Sequence, residues 1–176
     1  GSFELDGNNT TGSTHDWDQV YNDVLTGQNT SGSISGAVTF IHDPTNSAAD
    51  NIFSGGSSKD INDLNKWAVT LGTPQSKADI ADVFAAAYQV QVGAETHTIL
   101  NFGADRIDNN GSATLGFWFF QNPISLDANG TFTGAHAPGD VLLVVDFSSS
   151  SATISAYRWV GPGGSTSALQ LITPPT

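Results

Sequence analysis

The chain has 176 residues, enough for one domain that buries about 70% of its unfolded surface without a disulfide or a metal. Its 17 acidic and 5 basic residues leave a formal net charge of -12. No basic stripe is therefore available to neutralise nucleic-acid phosphates or to hold an anionic membrane surface. Cysteine and methionine are absent, which excludes disulfide and thiolate-metal scaffolds and suits an exported bacterial protein.

The acidity comes almost wholly from aspartate, since Glu4 and Glu95 are the only glutamates. Aspartate next to asparagine and glycine is typical of turns and of oxygen-rich calcium loops. No apolar run approaches the roughly 18 residues that a membrane-spanning helix needs. The sequence therefore predicts no membrane insertion.

At the amino end, Phe3–Asp6 alternates apolar and polar residues and predicts a short strand. In Asp16–Tyr21, Trp17 is flanked by two carboxylates. This segment fits a brief helix or an extended segment, and the sequence leaves both open. Residues 26–36 are rich in glycine, serine and threonine and predict a loop.

Three short strands are predicted next, over Ala37–His42, Asn51–Phe53 and Trp67–Leu71. Residues 77–87 allow two structures. Ile80, Val83, Phe84 and Ala87 have helical spacing. We prefer a single turn over 77–82 followed by a strand over Phe84–Val92, because apolar and glutamine residues alternate at its end.

The stretch from His97 to Gln121 contains two apolar runs, Ile99–Ala104 and Leu115–Phe120. Between them lies Asp108–Gly111, a run of residues that favours tight turns. The pattern predicts a central β-hairpin in which the two runs pair with each other.

The carboxyl-terminal third predicts a turn at Asp127–Gly130 and strands over Val141–Phe147 and Thr153–Val160. About nine strands separated by turn residues indicate an all-β antiparallel two-sheet sandwich of jelly-roll type. A seven-strand immunoglobulin-like sandwich is the alternative, but the chain is long for it. We predict one domain over residues 3–161 and a terminal strand or linker over 162–176.

Seven segments follow one another in an order that resembles a known type of domain. They are FELDGN at 3–8, DWDQVY at 16–21, SGGSSKDINDL at 54–64, FGADR at 102–106, GFWFFQN at 116–122, GDVLLVVDF at 139–147 and YRWVG at 157–161. The series resembles a poorly characterised concanavalin-like or laminin-G-like jelly-roll domain. That domain lies near the amino ends of large secreted or surface-anchored bacterial proteins. The resemblance implies a sandwich fold, a secreted or cell-surface location, and membership of a longer chain. Such sandwiches commonly bind glycans, often with calcium.

The loop before Trp67 carries a candidate calcium site. Asp60 and Asp63 supply carboxylates three residues apart, with Asn62 between them. Calcium takes six to eight oxygen ligands, and a flexible loop can wrap around it. The alternative is that Asp60 caps a helical turn and Asp63 is only solvated.

A second group of oxygen ligands, Asp105, Asp108 and Asn110, lies on the predicted hairpin. Asp108 and Asn110 also fit a plain turn, and Asp105 fits a structural ion pair with the adjacent Arg106. We include Asp105 and Asp108 as candidate metal ligands with Asp60 and Asp63.

Tryptophans near polar loops are candidates for stacking on a sugar ring. Trp17 and Trp67 fit this role best, with Asn62 as a hydrogen-bonding partner for hydroxyl groups. Trp118 is expected in the core, since the run around it is apolar on both faces.

Evidence for catalysis is thin. Glu4 and Asp6 share a strand face, but a third acid in the comparable glycosidase motif is replaced by Asn9. None of the four histidines has the spacing of a helical zinc site, and no serine lies in a nucleophile elbow.

The sequence therefore predicts a non-catalytic extracellular module that binds carbohydrate or another cell-surface ligand, with a structural calcium ion. Two alternatives stay open: an adhesive spacer that recognises no small ligand, and a glycan-active hydrolase or lyase.

Overall fold

The computed structural model describes residues 16–54, 61–147, 151–161 and 168–173, which form antiparallel strands and a single α-helix. The helix is α1 (Trp17–Thr26). The strands are β1 (Val38–His42), β2 (Asn51–Phe53), β3 (Val69–Leu71), β4 (Ile80–Val92), β5 (Glu95–Arg106), β6 (Thr114–Phe119), β7 (Ser125–Leu126), β8 (Phe132–Thr133), β9 (Val141–Asp146), β10 (Thr153–Trp159) and β11 (Leu169–Leu171). The predicted all-β class is confirmed.

The chain divides into two compact units. Unit 1 comprises Gly1–Thr45 and Asp79–Ile107, and unit 2 comprises Asn46–Ala78 and Asp108–Thr176. Unit 1 contains α1 and a sheet of order β1-β4-β5. Unit 2 contains a sheet of order β11-β10-β9-β6 and the two-stranded ribbons β2-β3 and β7-β8. The single domain over 3–161 stays a prediction.

In unit 1, the segment around Trp17 is helical rather than extended. Asp16 is the N-cap of α1, and Gly27 ends the helix with a φ of 69°, a left-handed conformation that glycine adopts without strain. Trp17 and Val20, three residues apart, pack against Ala86 on the sheet. Burial of this apolar stripe stabilises the helix, since an isolated ten-residue helix is marginal in water.

The preferred strand over Phe84–Val92 is confirmed but begins earlier, at Ile80, so the turn is shorter than the predicted 77–82, and the helix over 77–87 is wrong. A 3-10 turn over Ser76–Ala78 precedes β4, which pairs with β1 on one side and β5 on the other. Strand β5 pairs along β4 from Ile80 to Val92, and β1 pairs with its Asp82–Ala86 part, so the backbone hydrogen bonds are made in a sheet despite the helical spacing of the apolar residues.

The predicted hairpin over 97–121 is wrong. Its first apolar run lies in β5 and pairs with β4, while its second run lies in β6 and pairs with β9. A closer partner competes for β5, because the loop Gly93–Ala94 joins β4 to β5 directly and their register begins at Val92 and Glu95. A short local loop costs less closure entropy than the longer connection to β6.

The other predicted strands agree with the structure. The strands predicted over 37–42, 51–53, 141–147 and 153–160 correspond to β1, β2, β9 and β10 within a residue or two. The predicted segment Trp67–Leu71 contains β3. Residues 169–171 pair with β10 as β11. The predicted strand Phe3–Asp6 and the segment 162–167 lie outside the described residues.

Candidate functional site

An open cleft of about 480 Å³ lies in unit 2, where the β2-β3 ribbon meets the turn between β7 and β8. Residues 51, 69–71 and 126–130 line it. The ribbon sets one wall, with Asn51 opposite Leu71 and Phe53 opposite Val69. Alternation along the strands places these four side chains on one face of the ribbon.

The second wall is the Asp127–Gly130 turn predicted from the sequence. The Asp127 carboxylate accepts hydrogen bonds from the backbone N–H groups of Asn129 at 2.9 Å and Thr131 at 2.8 Å. The Thr131 hydrogen bond, helped by those from Asn129, holds the pKa of Asp127 below its usual value. The turn therefore presents a negative charge beside the cleft at neutral pH.

Strand β3 and the turn are joined by backbone hydrogen bonds. Val69 N–H donates to the Gly130 carbonyl at 2.8 Å, and Phe132 N–H donates to the Trp67 carbonyl at 2.9 Å. Gly130 has a φ of 79°, and a Cβ at this position would collide with the Val69 carbonyl oxygen. Only glycine allows the backbone of the turn to approach β3 this closely.

The surface of the cleft combines apolar side chains with hydrogen-bonding groups. Leu71 is 66% exposed and Leu126 is 46% exposed. The exposed side chains of Asn51 and Asn129 bring amide groups that both donate and accept hydrogen bonds. An apolar wall with a few polar groups around it is the usual composition of a small-molecule site.

A cluster of aromatic rings supports the cleft from within unit 2. Phe53 stacks on Phe132 with 6.1 Å between ring centroids, and Trp67 meets both rings edge-on. Trp118 and Phe120 stack on each other and both contact Trp67. Large rings in mutual contact resist rearrangement, so this packing fixes the position of the ribbon that forms the cleft wall.

His136 lies inside this cluster, with its side chain 3% exposed, and stacks on Trp159 at 4.3 Å. Its Nδ1 is 2.8 Å from the fully buried Asp140 carboxylate, which also accepts from the backbone N–H groups of Gln121 and Ala137. The Nε2 atom has no hydrogen-bond partner among the described residues. The pair ties the loop before β9 to the end of β6, and its burial separates it from the cleft surface.

The predicted stacking residues lie in packed surroundings. Trp17 is 8% exposed and contacts Phe84 in unit 1, and Trp67 is 9% exposed in the aromatic cluster. Neither indole is an exposed platform, because each packs its face into its own unit. Asn62 is exposed in the turn before the 3-10 turn Leu64–Lys66. Their roles in ligand binding stay predictions.

Two of the predicted calcium ligands, Asp63 and Asp108, accept hydrogen bonds from neighbouring residues of the chain. Asp63 caps the 3-10 turn and accepts from Asn65, and Asp108 accepts from both nitrogens of Asn110. Asp105 lies near the end of β5 opposite Asp82, and Asp60 lies outside the described residues. No group of three metal-binding His, Asp or Glu side chains occurs in the described part of the chain. Calcium therefore stays a prediction.

Each described histidine contacts an acid of its own. His42 Nδ1 contacts Asp82 in unit 1, and His97 Nε2 is 3.6 Å from Glu95. Together with the pair inside the aromatic cluster, these contacts occupy the three histidines separately. His15 and Glu4 lie outside the described residues.

Sequence reasoning missed the cleft residues Asn51, Leu71, Leu126 and Asn129. The turn at 127–130 was predicted, but its proximity to β3 depends on a β-bridge between Ala68 and Thr131. Residues 63 positions apart carry no local signal for such a contact. One hint was present, since asparagine and aspartate in a turn fit ligand hydroxyls as well as turn geometry.

Among the described residues, no helix is long and apolar enough to span a bilayer. Comparison of the chain with protein-family models, with curated proteins and with solved structures gave no match.

Proposed function

We propose that this chain is a non-catalytic binding module of a secreted or surface-anchored bacterial protein, and that it binds carbohydrate in the cleft of unit 2. The observation that carries the proposal is the cleft itself, where exposed Leu71 and Leu126 lie beside two amides and a charged carboxylate. Sugars present apolar C–H faces and many hydroxyl groups. The leucine side chains can contact the C–H faces of a sugar, and the amides and the carboxylate can form hydrogen bonds with its hydroxyl groups.

Further support comes from the rigidity of both walls. One wall rests on the aromatic cluster through Phe53 and Phe132, and the other is closed by two hydrogen bonds to Asp127. A preformed site binds more tightly than one that must be ordered on binding. The exposed groups line an open cleft, which suits part of a long glycan rather than an enclosed small molecule.

A glycan array probed with the labelled chain is the first test, followed by calorimetry with any glycan that binds. Asn51→Ala removes one amide, and Leu71→Asp places a charge on the apolar wall. We expect about two- to twelvefold weaker binding from the first change, since a hydrogen bond contributes about 0.5–1.5 kcal/mol. The second should abolish detectable binding.

The matched control is Gln89→Ala, an exposed amide in unit 1 that does not line the cleft. It should bind as the native chain does. Unchanged affinity in both cleft variants would reject the cleft as the site, even if a glycan binds elsewhere.

A structural calcium ion belongs to the proposal through the aspartate- and asparagine-rich loop that contains Asp60, Asn62 and Asp63. The melting temperature should rise in millimolar calcium relative to chelator, and Asp63→Asn should reduce that rise. Magnesium at equal concentration is the control, because it favours smaller octahedral sites. Equal melting in calcium and chelator would remove the ion from the proposal.

The finer fold is also proposed, as a two-sheet jelly-roll sandwich of the concanavalin kind. It is supported by the antiparallel pairing in every described sheet and by the resemblance of the ordered sequence segments.

A second candidate function, an adhesive spacer without a small ligand, is favoured by the burial of Trp17 and Trp67. A spacer would give no specific binding on the glycan array and equal melting in the presence and absence of sugars.

A further inference from the structure

Two segments of the chain share one pattern, an aspartate followed two residues later by asparagine and then glycine. They are Asp108–Gly111, between β5 and β6, and Asp127–Gly130, between β7 and β8. An asparagine side chain loses its amide most readily before glycine, because glycine has no side chain to hinder attack by its own backbone nitrogen. The two segments differ in how the structure holds that nitrogen.

In their local geometry the two segments are alike. The Asp108 carboxylate accepts from the backbone nitrogen of Asn110 at 2.8 Å, and the Asp127 carboxylate accepts from that of Asn129 at 2.9 Å. The two glycines have nearly the same φ, 78° and 79°. A difference in reactivity between the two asparagines therefore needs another source.

The glycine nitrogen of the second segment is held in place. Gly130 N–H donates to the backbone carbonyl of Asp127 at 3.1 Å, and Thr131 N–H donates to the Asp127 carboxylate at 2.8 Å. The Gly130 carbonyl accepts from Val69 N–H at 2.8 Å, which joins the turn to β3. Attack on the Asn129 side chain requires the turn to open and to lose these hydrogen bonds.

The glycine nitrogen of the first segment has no such partner. Within the described parts of the chain, Gly111 N–H donates no hydrogen bond. Asn110 and Gly111 are exposed, and a Cβ at Gly111 would meet only the Lys77 side chain, at 3.6 Å. The Asn110 carboxamide donates to Asp108 at 2.8 Å, but water replaces a surface bond of this kind at little cost.

A third asparagine, Asn109, lies in the same segment and provides an internal comparison. The backbone nitrogen that would attack its side chain belongs to Asn110, and this nitrogen is bonded to Asp108. The side chain of Asn110 also hinders the attack. Asn110 is therefore the reactive position of the segment.

We propose that Asn110 is a site of spontaneous deamidation and isoaspartate formation in the folded protein, and that Asn129 is protected. The Gly111 nitrogen loses its proton to hydroxide and bonds to Cγ of Asn110, and the Cγ–Nδ2 bond breaks with release of ammonia. Water then hydrolyses the resulting succinimide. Cleavage of the bond between the Gly111 nitrogen and the main-chain carbonyl carbon gives isoaspartate, and cleavage of its bond to Cγ gives aspartate.

The modification changes both charge and chain length. Each product adds one negative charge to the formal net charge of -12, two residues from Asp108. Isoaspartate also lengthens the backbone by one methylene group between β5 and β6, which belong to different sheets. We expect strand pairing within each sheet to survive, so that the modified protein stays folded.

Peptide mapping after incubation in mildly alkaline buffer measures both sites at once. Chymotrypsin cleaves at the aromatic run 117–120, so the two asparagines fall in separate peptides, where mass spectrometry detects conversion of the amide to a carboxyl group. In the folded chain, Asn110 should react at least about tenfold faster than Asn129, which corresponds to about 1.4 kcal/mol for opening the protected turn. In the urea-unfolded chain the two should react at similar rates, because only the fold distinguishes them.

Anion-exchange chromatography gives a second measurement, since the product is more acidic than the native chain. Asn110→Gln should abolish most of the acidic species, because the longer side chain forms its cyclic imide far more slowly. The matched variant Asn129→Gln should leave the growth of that species unchanged. Asp127→Ala removes the acceptor of Thr131 N–H and should speed modification of Asn129 at least about twofold, with Asn110 unaffected.

Equal rates at the two sites of the folded chain, or a slower rate at Asn110, would overturn the proposal. An acidic species that grows at the native rate in Asn110→Gln would do the same. Circular dichroism before and after incubation shows whether each sample is folded. If a variant does not fold, the peptide map of the native chain, compared with that of its urea-unfolded state, decides the matter alone.

Discussion

At the scale of single residues, the buried acid Asp23 is held in place by hydrogen bonds. It is 2% exposed on α1, and its carboxylate accepts from both the backbone N–H and the hydroxyl of Thr30 and of Ser31, at 2.6–2.9 Å. Burial acts to raise the pKa of Asp23, but the hydrogen bonds outweigh it and the pKa is lowered. The four donors anchor the loop after α1 to the helix.

The same group affects Tyr88 on β4. Burial raises the pKa of the Tyr88 phenol, the Ser31 hydroxyl counteracts part of this effect, and the nearby Asp23 charge adds to the rise. The tyrosine therefore stays neutral across the physiological pH range. One carboxylate thus influences the helix, the following loop and the sheet of unit 1.

The replacement Asp23→Asn should destabilise the protein by about 2–4 kcal/mol, because an amide nitrogen would face donors that need an acceptor. Urea unfolding at pH 7 measures this loss. Glu95→Gln, which removes an acid from an exposed position, is the control and should change stability by less than about 0.5 kcal/mol. A loss as small as that of the control would contradict the role assigned to Asp23.

The pH dependence of this difference follows from the lowered pKa. An acid whose folded pKa lies below its unfolded value of about 3.9 stabilises the protein above that value. The contribution disappears as the pH falls through the folded pKa. The difference in unfolding free energy between the native chain and Asp23→Asn should therefore be constant near neutrality and shrink below about pH 4.

At the scale of elements, β5 and β6 show the limit of pattern reading. Both runs are apolar and both are strands, so their type was predicted correctly. Their partners were not, because an apolar run bounded by turn residues indicates a strand but not which strand it pairs with. The turn-forming residues between them, including Asp108 and Gly111, close a connection between sheets rather than a hairpin.

The turn that borders the cleft depends on a glycine, Gly130, at its closest approach to β3. Gly130→Ala should cost about 2–4 kcal/mol, since it combines a left-handed φ of 79° with a collision against the Val69 carbonyl. Gly111→Ala has nearly the same φ, 78°, but meets only the Lys77 side chain at 3.6 Å. It should cost about 1–2 kcal/mol from backbone strain alone.

Thermal and urea unfolding of these two variants separate strain from close approach. Equal losses in both would show that the contact between the turn and β3 contributes nothing. A larger loss in Gly130→Ala should be accompanied by weaker ligand binding in the cleft, because the same contact forms its second wall.

At the scale of the whole molecule, the net charge of -12 is the dominant electrostatic property. Such an excess of one sign repels itself within the compact state, and salt screens the repulsion over about 10 Å at 0.1 M. The same charge keeps separate molecules apart in solution.

Raising sodium chloride from 10 mM to 150 mM at pH 7 should raise the melting temperature by a few degrees, since screening relieves self-repulsion. Near the isoelectric point of about 4.2, the same change should have little effect. Differential scanning calorimetry at low protein concentration measures both. A salt effect of equal size at the two pH values would show that repulsion is not its source.

By itself, the sequence determined the class of the fold, because alternation and turn residues are local properties that survive in any tertiary context. It located β1, β2, β9 and β10, predicted the turn at Asp127–Gly130, and favoured a strand over a helix for β4. It also placed Trp118 among packed rings, since an apolar run with both faces apolar must be covered.

Only the tertiary structure decided which strands pair, where Trp17 and Trp67 are buried, and that Asn51, Leu71 and Asn129 share one cleft. These outcomes depend on contacts between residues distant in the chain, and such contacts are chosen by competition among partners of similar local pattern. The pairing of β5 has the same origin: its apolar run indicated a strand in the sequence, but the short loop that joins it to β4 decided which strand it pairs with.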